Sequence, residues 1–239
     1  MAMMSLPFRE RGLIVSCQAL PDEPLYGAGV MGMMAKAAEM AGAVGIRTNG
    51  ADDVRLIKSC IGLPVIGLNK RVIAGSEVFI TPELADVEAI VSAGAEIVAL
   101  DMTDRENRYD KLPGLVKYIH DAGAFVMADV STLEEGIRAE AVGADLISST
   151  LSGYTPFSPQ QETPDFELVR QLSRSVRVPV VAEGRIWTPE EAVTALECGA
   201  TYVVVGSAIT RPQLIAARYA EKMGAWLNGT AGIAARNRP

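Results

Sequence analysis

The chain has 239 residues, 49% of them hydrophobic, and a formal net charge of −7 at pH 7. That length and apolar content suit one large domain with a sizeable core, while the acidic balance argues against general nucleic-acid binding and leaves room for a small anion held by local arginines. No apolar run approaches the roughly 20 residues of a membrane-spanning helix, Met1–Arg11 lacks a signal-peptide core, and the three widely spaced cysteines Cys17, Cys60 and Cys198 fit free thiols in a reducing cytoplasm.

After a short leader, residues 1–12, apolar runs alternate with amphipathic stretches. The expected strands are Leu13–Gln18, Val44–Arg47, Val65–Asn69, Ile97–Asp101, Phe125–Asp129, Leu146–Thr150, Val180–Glu183 and Tyr202–Val205. The runs Val178–Ala182 and Tyr202–Val205 are short, apolar and rich in β-branched residues, the composition of strands buried on both faces. Between most neighbours there is room for a helix. A Gly-Ala pair stands just before several strands, at Gly42, Gly94, Gly123, Gly143 and Gly199, where a left-handed glycine would end the preceding helix. Ser131 with Glu134, and Thr188 with Glu191, have capping-box spacing, the second with Pro189 at the first helical position. Thr81-Pro82 and Thr163-Pro164 are weaker start signals of the same kind.

Eight β/α units in this length read as a single-domain (β/α)8 TIM barrel over residues 13–223. A doubly wound open sheet is the runner-up, but its Gly-rich first turn is absent: Gly27-Ala28-Gly29 has no third glycine at the right distance. The last helix is expected over about Pro212–Met223. The tail 224–239, rich in Gly, Asn and Arg, is expected to be flexible or ordered only at a subunit contact.

In such a barrel the chemistry gathers where strands finish. Those positions are polar here: Gln18, Arg47, Lys70, Asp101, Asp129, Thr150 and Glu183. A polar group after a buried apolar run needs a partner, so pairs such as Arg47 with Asp101 or Asp129 are the bland explanation for any one of them; seven at one mouth favour a site. The last two strand ends look built for a phosphate. Gly184 and Gly206 follow them, a short helical turn starts at Ser207, and Arg185 and Arg211 stand alongside. Glycines let backbone amides approach an anion, and the loops after strands 7 and 8 are where barrels of this kind commonly bind phosphate.

Lys70 would stand over the barrel centre, where burial and a cation such as Arg47 lower an amine's pKa and free it to act as a base. Glu183 is a second proton-handling group. His120, the single histidine, falls near a helix end away from this mouth, so neither a His-rich metal site nor a Ser-His-Asp or Cys-His mechanism is expected. Cys17 lies near the mouth without a His partner and reads as a small buried hydrophobe. A phosphate grip, one lysine, carboxylates and no expected metal or cofactor suit proton abstraction beside a carbonyl in a sugar phosphate. Schiff-base aldol chemistry at Lys70 suits them nearly as well, and a non-catalytic sugar-phosphate-binding barrel stays open.

Leu13–Leu25, Gly45–Arg47, Pro64–Gly67 with Lys70-Arg71, Ala99–Asp101, Met127–Ser131, Ser149–Thr155, Ala182–Arg185 and Val205–Arg211 together resemble the N-acylglucosamine-6-phosphate 2-epimerase family. The resemblance runs from about Leu13 to the last helix. It implies a cofactor-independent isomerase of amino sugar catabolism, cytoplasmic and homodimeric, interconverting N-acetylmannosamine 6-phosphate and N-acetylglucosamine 6-phosphate. It also implies Lys70 and Glu183 as catalytic residues, Gln18, Arg47 and Asp129 as substrate ligands, and Arg211 on the phosphate side, with Gly184, Arg185, Gly206 and Ser207 at the phosphate turns. Two positions depart from the family pattern: Tyr26 stands where a His is expected, and Ser207 where some members have a second Gly.

Overall fold

The computed structural model describes residues 5–27 and 29–236, with side chains as far as Asn228. Eight parallel strands close into a barrel in sequence order. They are β1 (Gly12–Cys17), β2 (Gly45–Asn49), β3 (Val65–Leu68), β4 (Ile97–Asp101), β5 (Phe125–Asp129), β6 (Leu146–Ser148), β7 (Val180–Glu183) and β8 (Tyr202–Val205). The helices are α1 (Val30–Met40), α2 (Ala51–Cys60), α3 (Leu84–Ser92), α4 (Arg108–Asp121), α5 (Leu133–Val142), α6 (Phe166–Ser175), α7 (Pro189–Glu197), the single turn α8 (Ser207–Thr210) and α9 (Pro212–Arg236). The (β/α)8 expectation holds, with strand ends shifted by a residue or two. None of the described helices is long and apolar enough to cross a membrane.

 The two-residue period of a strand explains where the polar ends point. Ile97 and Ala99 face the barrel interior, so Asp101, two residues on, faces inward as well; Met127 does the same for Asp129, and Val181 for Glu183. The interior is filled from below by Ile14, Ile66, Ile97, Met127, Leu146, Val181, Tyr202 and Val204. The alternate residues, among them Val15, Ile46, Val98, Val126, Ile147 and Val203, pack outward under the helices. Polar groups are thus confined to the upper end of an otherwise apolar barrel. The leader has a structural part to play at the lower end: Phe8 is buried there, its ring tilted against that of Tyr202 with centroids 4.5 Å apart. Met1–Met4 lie outside the described residues.

Gly143 (φ 111°) and Gly199 (φ 104°) are left-handed after α5 and α7, as the Gly-Ala pairs suggest. Thr188 and Glu191 form the expected capping box, but the other box is displaced by one residue: Thr132 caps α5 and pairs with Glu135, not Ser131 with Glu134. Glu135 is buried and also accepts from Ser131, so the outward-facing Glu134 could not have replaced it. The two Thr-Pro signals also miss their caps: Glu83 caps α3 and Asp165 caps α6. Thr81 instead holds a positive φ of 46° and accepts a hydrogen bond from the Asn69 amide at 3.1 Å.

The last helix does not stop near Met223; α9 continues to Arg236. Its glycines lower helix propensity, but the alanines and leucine between them restore it, and no proline intervenes before Pro239. Residues 237–239 lie outside the described part.

Candidate active site

A cavity of about 500 Å3 opens at the C-terminal ends of the strands, where a ligand the size of a sugar phosphate fits. Its wall brings together Gln18, Arg47, Lys70, Glu183, Gly184, Arg185, Gly206, Ser207 and Arg211. Of the ten residues given a catalytic, substrate or phosphate role from the sequence, Asp129 alone is absent from that wall. It is fully buried beneath it.

Arg47, 1% exposed, organises the floor. Its Nη1 and Nη2 donate to Asp129 Oδ1 and Oδ2 at 2.9 and 2.7 Å, and Nη1 also stands 2.8 Å from Glu183 Oε2. A two-pronged pair of this kind fixes direction as well as charge. Burial alone disfavours the guanidinium's charge, but the two carboxylates more than offset this and hold it protonated. Thr150 ties the acids together, with Oγ1 2.7 Å from Asp129 Oδ1 and 3.1 Å from Glu183 Oε2. Ser149 clamps the end of β7: its hydroxyl donates to the Glu183 carbonyl at 3.0 Å and accepts from the Glu183 amide at 3.1 Å.

Lys70 stands just beyond β3. Its amide donates to Asn49 Oδ1 at 2.7 Å, and an antiparallel bridge to Ile80 holds the backbone there. Burial, followed by the cations of Arg47 and Arg211, lowers its pKa to about 8; Glu183 and Asp129 oppose the shift. Glu183 is pushed up, by burial first and by Asp129 next, against the pull of Arg47, Lys70 and Thr150. Amine and carboxyl are therefore brought towards each other in basicity, which is what a proton-moving pair needs near neutral pH.

Across the mouth, Gly184 is left-handed (φ 112°), and so is Arg185 (φ 58°). The Arg185 guanidinium donates to the carbonyls of Ser152 and Gly153 at 2.7 and 3.2 Å and lies 4.5 Å over the Tyr154 ring. Gly206 passes close to β1, where an added Cβ would come within 3.2 Å of Ser16 Cβ. Arg211 is oriented by Glu23, 3.0 Å from its Nε.

Several wall residues were given no role from the sequence. Thr150 was visible as a polar strand end, but its bridging of two acids depends on three strands meeting. Ser16, which accepts from Gln18 Nε2 at 2.9 Å, lies one position inside a strand and carried no signal. Tyr154 and Trp187 sit in loops, and neither had a pattern to mark it. Tyr26 is 57% exposed and is not among the wall residues, whereas Ser207 is. Cys17 is buried, its thiol pushed up to about 12 mainly by desolvation, which leaves it inert. His120 pairs with Asp145 at 2.9 Å at the end of α4. Among the described residues no group of three or more His, Cys, Asp or Glu is arranged to hold a metal ion.

Comparison with known proteins gives a consistent result. The model of the family described as "Putative N-acetylmannosamine-6-phosphate epimerase" matches residues 31–225. A relative in Caldanaerobacter subterraneus subsp. tengcongensis, described in the same terms as a 2-epimerase, is 54% identical over 213 residues, covering 88% of this chain and 90% of the relative. One in Clostridium perfringens is 50% identical over 210 residues, covering 87% and 95%. A solved structure of the N-acetylmannosamine-6-phosphate 2-epimerase from Clostridium perfringens superposes with a TM-score of 0.86 at 48% identity, covering 90% of this chain and 94% of that one.

Proposed function

The chain belongs to the N-acetylmannosamine-6-phosphate epimerase family, and from that premise we propose that it interconverts N-acetylmannosamine 6-phosphate and N-acetylglucosamine 6-phosphate. The reaction serves amino sugar and sialic acid breakdown. The observation that carries the reading is the half-buried Lys70, its pKa lowered to about 8, in one cavity with Glu183 and the phosphate turns.

The C2 hydrogen is acidic only when C1 is an aldehyde, so the open-chain sugar is the reacting form. The neutral Lys70 amine takes the C2 proton, and the electron pair passes into an enolate whose oxygen the donors of Gln18 and Arg47 stabilise. A proton then returns to the opposite face of C2. Two groups can deliver it: the Lys70 ammonium after rotation of the sugar carbons, or the Glu183 carboxyl. Asp129 acts through Arg47, holding the guanidinium in place. The turns at Gly184, Arg185, Gly206 and Ser207, with Arg211, bind the phosphate, so that binding energy from the unreactive end orients C2.

The homodimer that the family resemblance implies is supported by α9, whose Leu214, Tyr219 and Met223 leave apolar surface exposed; sedimentation of the purified protein tests it. A cytoplasmic location is supported by the three free cysteines. The activity itself is tested by NMR from either sugar phosphate. Both should converge on one mixture of the two. Cleavage to smaller fragments, or borohydride trapping of the sugar on Lys70, would favour an aldolase, and binding without conversion a sensor.

A further inference from the structure

We propose that Asp101 is a substrate-binding residue whose second carboxylate oxygen accepts a hydrogen bond from an N–H or O–H borne on C2 or C3 of the open-chain sugar phosphate. This rests on the function proposed above and adds a contact at the end of the substrate remote from the phosphate. Asp101 ends β4, lines the cavity and is 1% exposed. Its Oδ1 is saturated: the Thr103 amide donates to it at 3.0 Å and the Thr103 hydroxyl at 2.6 Å. Its backbone is equally fixed, the amide donating to the Ile80 carbonyl at 3.1 Å and the carbonyl accepting from Arg108 Nε at 2.6 Å.

Oδ2, in contrast, is buried without a hydrogen-bond partner. The nearest cationic group is Arg105, whose Nε lies 3.7 Å away, too far for a hydrogen bond, and donates instead to Thr103 Oγ1 at 3.0 Å. Leaving a buried acceptor without a hydrogen bond is costly, and a rigidly held one is preorganised for a donor that arrives with a ligand. The barrel order says which part of the ligand arrives. β4 lies across the closed sheet from β8, whose turn belongs to the phosphate side, and next to β3, which carries Lys70. A chain with its phosphate against the β7 and β8 turns and C2 at Lys70 presents the substituents of C2 and C3 towards β4. In this substrate those are an amide N–H and a hydroxyl, and both are donors.

The test measures binding to wild type and Asp101→Asn with inorganic phosphate, N-acetylglucosamine 6-phosphate, 2-deoxyglucose 6-phosphate and the 3-deoxy analogue of N-acetylglucosamine 6-phosphate. Asparagine keeps an oxygen for Thr103 and sets an NH2 where Oδ2 stood. N-acetylglucosamine 6-phosphate should bind at least about tenfold more weakly to the variant, while inorganic phosphate is unaffected. A penalty that disappears with the 2-deoxy sugar assigns the amide N–H as donor; one that disappears with the 3-deoxy sugar assigns the hydroxyl. Equal affinity of both proteins for N-acetylglucosamine 6-phosphate, an equal loss for inorganic phosphate, or a penalty that persists with both deoxy sugars overturns the assignment. Failure of the wild type to bind any of these phosphates would sink the proposed function instead. Should Asp101→Asn not fold, Thr103→Val loosens Oδ1 while leaving the carboxylate in place. It should show a smaller loss for N-acetylglucosamine 6-phosphate alone, and no loss, or a loss shared with phosphate, contradicts the proposal.

Discussion

Arg47 and Glu183 meet on the cavity floor, Nη1 2.8 Å from Oε2, while the same guanidinium grips Asp129 through both Nη1 and Nη2. Removing the cation leaves the fully buried Asp129 and the partly buried Glu183 without their shared partner. Arg47→Ala should therefore cost about 3–5 kcal/mol of folding stability, measured by denaturant unfolding. Lysine should recover only part of it, because an ammonium cannot reproduce the fork.

The activity should follow the charge of Lys70. With its pKa lowered to about 8 and the neutral amine as base, kcat/KM should rise through an apparent pKa near that value. Arg211 is one of the cations depressing it, so Arg211→Gln should move this limb to higher pH, apart from any loss of phosphate affinity. The stability linkage has a definite sign. Between about 8 and the ordinary 10.5, the unfolded chain binds the extra proton, so stability rises with pH across that window. The penalty for charging Lys70 is complete below it. Lys70→Met should be the more stable protein at pH 7, and its advantage over wild type should shrink as the pH climbs towards 10.5.

Thr150 separates two acids with one hydroxyl. Its Oγ1 lies 2.7 Å from Asp129 and 3.1 Å from Glu183, and a single proton satisfies only one of them at a time. Thr150→Val keeps the shape and removes the bridge. We expect a stability loss of about 1–3 kcal/mol and a pH–rate profile altered in shape as well as height, because the basicity of Glu183 depends on this contact.

Much of this site was legible from the chain because a strand buried on both faces makes any polar residue at its end conspicuous. Lys70, Arg47 and Glu183 stood out in that way, and of Asp101 and Asp129, the two partners the sequence offered Arg47, the structure selects Asp129. The contacts that cross between loops were not legible. Nothing local in Arg185 says that its guanidinium turns back to the carbonyls of Ser152 and Gly153. The cap at Thr132 was missed by one residue because Ser131 and Thr132 are both good caps with a Glu three residues on; burial of Glu135 decides between them. The full length of α9 was hidden by glycines that weaken a helix without ending it.

Gly153 tests the Arg185 contact from the other side. It has φ 75°, and an added Cβ would lie 2.4 Å from Arg185 Nη2. Gly153→Ala should cost about 1 kcal/mol or more through the left-handed backbone. It should also weaken binding of inorganic phosphate by displacing the guanidinium, which a competition assay would read.

The most direct measurement of the central claim is exchange of the C2 hydrogen in heavy water, followed by NMR on N-acetylmannosamine 6-phosphate. Wild type should wash deuterium into C2 as the two sugars interconvert. Lys70→Ala should still bind the phosphate ligand yet show neither exchange nor conversion. Exchange at an undiminished rate in Lys70→Ala would contradict the account, because some other group would then be taking the proton.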